Sequence, residues 1–190
     1  MNPEISSDKA DREARRSGEI HVRVPTLRQM FDPMDPSPLT RKDLLPNVDE
    51  FIVSWGREIP AKTLHALVIH VDDPAPDDEW RVATAAIHAF FEERAVVSRR
   101  ALRQMFRVGR ISLLIALVVL GVSILGGEAL RATGSRLARA IGSTLEIGGW
   151  VAMWRPLEIF LYDWWPIRGD IQLFRRLAAM DVRVVCDRMV

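Results

Sequence analysis

Seventeen consecutive residues without a charge, ISLLIALVVLGVSILGG from Ile111 to Gly127, set the tightest limit on how this chain can fold. Arg110 precedes the run and Glu128 follows it. At about 1.5 Å per residue a helix of that length spans about 25 Å, close to the hydrocarbon thickness of a bilayer. A helix that is apolar on every side needs either lipid or a large protein core around it. The other segments of a 190-residue chain supply too few apolar neighbours to enclose it, so the run reads as a transmembrane helix.

A second apolar segment extends from Ile141 to about Leu161, interrupted by Glu146 and, near its end, by Arg155 and Glu158. It overlaps GWVAMWRPLEIFLYDWWP, Gly149 to Pro166, which holds four of the six tryptophans and the single tyrosine. A charge at the bilayer centre costs about 2.5–3.5 kcal/mol on insertion scales, whereas tryptophan and tyrosine favour the headgroup layer. Trp150, Trp154, Tyr162, Trp164 and Trp165 are therefore expected to mark the membrane interface, with Arg155, Glu158 and Asp163 among headgroups or protein. Arg155 and Glu158 stand three apart and partly neutralise each other on a continuing helix. Pro156 removes a backbone donor and disfavours helical geometry at Arg155, so a kink or a change to an interfacial helix is expected there.

Glu146 is the candidate intramembrane polar residue. It reads either as a proton or ion site, or as a carboxylate at the outer interface neutralised by Arg139 or another loop arginine. Ser112 and Ala116, Ser123 and Gly127, and Gly148 and Gly149 would let two such helices approach closely.

Basic residues set the orientation. Arg99, Arg100, Arg103, Arg107 and Arg110 precede the first span, and Arg168, Arg175, Arg176 and Arg183 follow the second. The connecting loop has Arg131, Arg136 and Arg139. The bias places both termini in the cytoplasm of a multi-pass protein.

The rest of the chain reads as a small α/β domain. Ile20 to Pro25, IHVRVP, alternates as a strand, and Thr26 and Gln29 stand at capping-box spacing before the loop DPMDPSP. Asn47 and Glu50 form a second such box, with Val48, Phe51, Ile52 and Trp55 on one face of a helix from about Val48 to Glu58. Leu64 to Val71 is apolar on both faces, as in a parallel sheet covered from two sides, and a strand, helix, strand order implies a right-handed crossover. After VDDPAPDDEW, a stripe of Ala83, Ile87, Phe90, Val97 and Ala101 starts a helix that no breaker separates from the membrane run, about Asp77 to Leu125.

Two strands alone are marginal. The tail offers a helix with Ile171, Phe174, Leu177 and Ala178 on one face and a strand from Val182 to Val185 that can return to the sheet. The alternative is an amphipathic helix lying on anionic lipid with Arg175 and Arg176. The expected organisation is a disordered tail over 1–19, an α/β domain and helical stalk over 20–107, a transmembrane hairpin over 108–165, and a returning helix and strand over 166–190. The fold class is α/β or α+β, two or three strands with flanking helices, plus a two-helix hairpin reached by a long continuous helix.

Catalytic motifs are missing from the sequence: it has no GxSxG, HExxH, P-loop or GxGxxG. Asp72, Asp73, Asp77, Asp78 and Glu79 lack the spacing of an EF-hand, and Asp77 to Glu79 suit a helix N-terminus. His65 and His70, five apart on one strand, point to opposite faces, and a site joining His21 to His88 has no sequence support. The lone Cys186 excludes an intramolecular disulfide and reads as a small buried hydrophobe. No metal or cofactor is expected, and a net charge of +1 gives no basic field for nucleic acid. The first nineteen residues have no apolar core for a cleavable signal peptide.

The run GWVAMWRPLEIFLYDWWP, together with HVRVPTLRQMFDPMDPSPL upstream, resembles a family of small, uncharacterised bacterial inner-membrane proteins. The resemblance implies an inner (plasma) membrane location and carries no activity or ligand with it. The expected function is that of a non-enzymatic anchor or accessory subunit, in contact with membrane lipid and with a protein partner or a second copy of itself. The alternative is an oligomeric ion or proton pathway using Glu146 and the Arg155 and Glu158 pair.

Overall fold

In the computed structural model, residues 18–60, 63, 64, 66–73 and 76–186 are described. They form two compact units, one drawing on the chain up to Val97 and from Asp170 onward, the other on Ser98–Gly169. His65 and most of the expected N-terminal tail lie outside the described residues, while Glu19 belongs to a strand.

The first unit is built on a three-stranded parallel sheet of β1 (Glu19–Val24), β2 (Ala66–Val71) and β3 (Asp181–Cys186), in the order β1-β2-β3. Registers align Ile20 with Leu67 and Leu67 with Val182, so the returning C-terminal segment supplies the third strand. Side chains alternate across each strand. Ile20, Val22, Val24, Leu67, Ile69, Val71 and Val182 share one face and join a single buried cluster with residues of three helices. Those helices are α1 (Pro46–Glu58), α2 (Asp77–Ala132) and α4 (Trp164–Ala179). Ile52, Ile87, Phe91 and Leu177 are fully buried there, each contributing about 1.5–3 kcal/mol relative to exposure.

The opposite face carries Glu19, His21, Arg23, His70, Asp181 and Arg183. Arg183 on the β3 edge donates to Asp181 at 2.7 Å and reaches Glu19 on the far strand at 3.3 Å. It thus crosses β2 above its two small residues, Ala66 and Val68, which are 1% and 6% exposed. Gly18 leads into β1 with φ of 73°, and a Cβ there would stand 1.4 Å from the Thr63 carbonyl oxygen, so only glycine fits.

Several expectations need correction. Neither capping box forms: Thr26 caps the 3-10 turn Leu27–Met30 without a side-chain bond, and Pro46, not Asn47, opens α1. Proline at the first helical position needs no capped amide, and the Asn47 side chain instead accepts from the Val48 N–H at 3.0 Å. On α2 the buried face runs through Ala83, Ala86, Ile87, Phe91 and Ala95, while Val97 is exposed and Phe90 half-buried. Leu173 joins the buried face of α4, where Ala178 is only half-buried. Cys186 is exposed rather than buried, because it ends the edge strand.

Arg94 on α2 ties the helices together. It pairs with Asp49 of α1 and lies over the Phe174 ring of α4 with its guanidinium carbon 4.8 Å from the centroid. Across the unit's surface Arg57 donates to Asp170 at 3.0 Å.

Candidate membrane-facing unit

Within Ser98–Gly169 most of the buried positions are small residues, with Met153, Pro156 and Ile159 buried beside them. Gly109, Ala116, Ser123, Gly127, Gly142 and Gly149 are buried, whereas Leu114, Val118, Val122, Leu125, Ile147 and Val151 are more than half exposed. Water drives the reverse arrangement, large apolar groups inward and small polar ones outward. The helix Asp78–Ala132 is long and apolar enough to cross a membrane, the only one of that kind among the described residues.

The small residues lie where α2 meets α3 (Arg136–Glu158). A Cβ on Gly142 would fall 2.9 Å from the Gly127 carbonyl oxygen, and one on Gly149 would fall 2.8 Å from the Ser123 Cβ. Further along, a Cβ on Gly109 would meet Ile159 at 2.9 Å, and the Phe106 and Phe160 rings stand 6.0 Å apart. Positions rise along α3 as they fall along α2, so the two run antiparallel. Of the small residues singled out in the sequence, Ala116, Ser123, Gly127 and Gly149 are buried, and Gly148 faces open space. Gly142 has no local signature in the sequence, because the register between the helices depends on distant segments.

Several polar groups in this unit are satisfied within it. Ser143 and Thr144 turn their hydroxyls back to donate to the Arg139 and Ala140 carbonyls at 3.1 and 3.0 Å. Glu146 pairs with Arg131, which also donates to Glu128 at 3.1 Å. The partner is Arg131, not Arg139, because the antiparallel packing brings the end of α2 beside the third turn of α3.

At the other end, Arg155 pairs with Glu158 at 2.9 Å and stands 3.7 Å from Asp163. The helix does not break at Pro156: it continues to Glu158, and the irregularity follows as a π turn over Ile159–Asp163 leading into α4. Proline removes only the bond to the Ala152 carbonyl, one turn before it. Trp164 donates its indole N–H to the Phe160 carbonyl at 2.9 Å, and Arg168 lies over its ring at 5.6 Å. Trp150, Trp154, Tyr162 and Trp165 are exposed. The helical path from Trp150 to Trp165 rises about 22 Å, against about 6 Å for one headgroup layer.

Among the described residues no group of three or more metal-ligating side chains occurs. His21 and His70 meet across β1 and β2, Nδ1 to Nε2 at 3.0 Å with rings stacked, and the Glu19 carboxylate stands 3.6 Å from His21. His88 is elsewhere, its Nε2 bonded to the Met180 carbonyl at 3.0 Å. Beside His88 a groove of about 820 Å³ runs along β3, lined by Trp80 and Thr84 of α2 and by consecutive residues from Ala179 to Val184. A groove that touches consecutive strand residues follows the strand's edge, where backbone groups are free to pair.

No family model, curated protein or solved structure matches the chain.

Proposed function

We propose that this protein is a non-enzymatic integral membrane protein, an anchor or accessory subunit whose α/β domain binds a protein partner in the cytoplasm. In this reading α2 and α3 form a two-span hairpin in an inner (plasma) membrane, with both termini on the cytoplasmic side. The observation that carries the reading is the burial pattern of Ser98–Gly169, where glycine, alanine and serine make up most of the packed positions and most branched apolar residues face out. Lipid tails are as apolar as leucine, so close approach of small residues, rather than exclusion of water, holds helices together in a bilayer. The orientation rests on the arginines that flank the two helices. The partner surface is the open β3 edge and its groove, where an extended segment could add a strand.

The single, exposed Cys186 makes the test direct. A membrane-impermeant maleimide should leave Cys186 unlabelled in intact cells and label it after lysis. In a Cys186→Ser/Gly134→Cys variant the turn cysteine should label in intact cells. Labelling of both sites in intact cells, or of neither, contradicts the topology. A partner copurified in mild detergent should be lost when Trp80→Ala or Thr84→Arg alters the groove.

A further inference from the structure

We propose that Arg100, Arg103 and Arg107 form a binding cleft for the headgroup of a phospholipid that carries more than one phosphate. This rests on the membrane reading above and adds a ligand to it. The three arginines follow one another at spacings of three and four, which puts them on one side of α2 with rises of about 4.5 and 6 Å between them. Together with Gln104 and Val108 they line a cleft of about 460 Å³.

Their charge has no counterpart among the described residues. Among the described residues no carboxylate pairs with any of the three, whereas Arg28, Arg94, Arg131, Arg155 and Arg183 each hold one. Like charges at these spacings weaken a helix, so an anion that bridges them is favoured. The position suits a lipid. The uncharged run starts at Ile111, about 6 Å beyond Arg107 along the helix, which sets Arg107 at the depth of headgroup phosphates. The three guanidinium groups are spread over about 10 Å of helix, more than a single phosphate covers. A headgroup with two phosphates can engage both ends of the cleft. Guanidinium forks bind phosphate oxygens in pairs, and the exposed Val108 offers an apolar contact on the membrane side.

The test uses the full-length protein in phosphatidylcholine nanodiscs containing cardiolipin, or phosphatidylglycerol at twice the mole fraction so that the charge is matched. Lipid retained on the released protein is counted by native mass spectrometry. Cardiolipin should be retained in preference to phosphatidylglycerol. Arg103→Gln/Arg107→Gln should lower its retention about twenty-fivefold, about fivefold for each arginine. Arg99→Gln/Arg110→Gln, which removes the same charge outside the cleft, should change retention less than about twofold, and lysines at 103 and 107 should restore it only in part. Equal retention of the two lipids, or equal losses in the two glutamine pairs, means diffuse attraction to the surface and overturns the proposal. So does an acidic protein held by the arginines with no preference for cardiolipin. Failure of the wild type to enter nanodiscs refutes the membrane reading itself and is seen before any lipid is counted.

Discussion

Gly127 and Gly142 pack backbone against backbone: a side chain on Gly142 would meet the Gly127 carbonyl oxygen at 2.9 Å. Neither chain can yield there, because the obstacle is main chain rather than a flexible side chain. Gly142→Val should therefore lower stability in detergent by about 1–3 kcal/mol, read as a lower midpoint of thermal unfolding. Gly148→Ala, facing open space on the same helix, should stay within about 0.5 kcal/mol of wild type. Equal effects of the two substitutions would mean that α2 and α3 do not touch at Gly142.

Glu146 and Arg131 form the ion pair at the turn end of the same contact. Glu146→Gln keeps the shape and removes the charge, leaving Arg131 with Glu128 alone. The variant should melt earlier, while proton and ion flux through reconstituted vesicles should match that of wild type. A flux that rises or falls with the substitution would favour the pathway over the anchor.

In the α/β domain Arg94 connects three helices through Asp49 and the Phe174 ring. The pair is partly open to solvent, so the Coulomb contribution is screened and much of the loss on truncation is ring contact. Arg94→Ala should cost about 1–2 kcal/mol in chemical unfolding. Arg94→Lys should recover less than half of that, since an ammonium cannot lie flat on the ring. Full recovery by lysine would assign the effect to charge alone.

Asp35 and Asp43 should respond to acid in opposite senses. The Asp35 carboxylate accepts backbone N–H bonds from Asp43 and Ser37 at 2.8 and 2.9 Å, which hold its pKa below the ordinary carboxylate range. Partial desolvation of the exposed Asp43, with the facing carboxylates of Asp35, Glu93 and Asp32, raises it above that range. Asp35 therefore stabilises the loop above its unfolded pKa and loses that contribution as the pH falls through its lower folded value. Asp43 carries a cost at neutral pH that is relieved as the pH falls through its raised value. Carboxyl carbon NMR should show Asp43 protonating first and Asp35 last, with the loop loosening only at the second step. Titration of both at the same ordinary value would contradict this account of the loop.

Much of the domain was legible because its signals are local. Alternation in IHVRVP, the two-sided apolar run of β2 and the amphipathic tail each report their own burial, and the third strand followed from the need to complete a marginal sheet. What the sequence hid depends on register between distant segments. Nothing near Glu146 distinguishes Arg131 from Arg139, and nothing near Gly142 distinguishes it from Gly148. Arg94 looks like one more charge on a long helix until Asp49 and Phe174 are brought beside it. The capping boxes misled for a local reason, since Pro46 already supplies a first helical residue that needs no capped amide.

Partition after an alkaline carbonate wash is the most direct test of lipid as the solvent for Ile111 to Gly127. The expressed protein should float with the membranes after washing and come into solution only with detergent. A folded monomer in the detergent-free supernatant after ultracentrifugation would contradict the account.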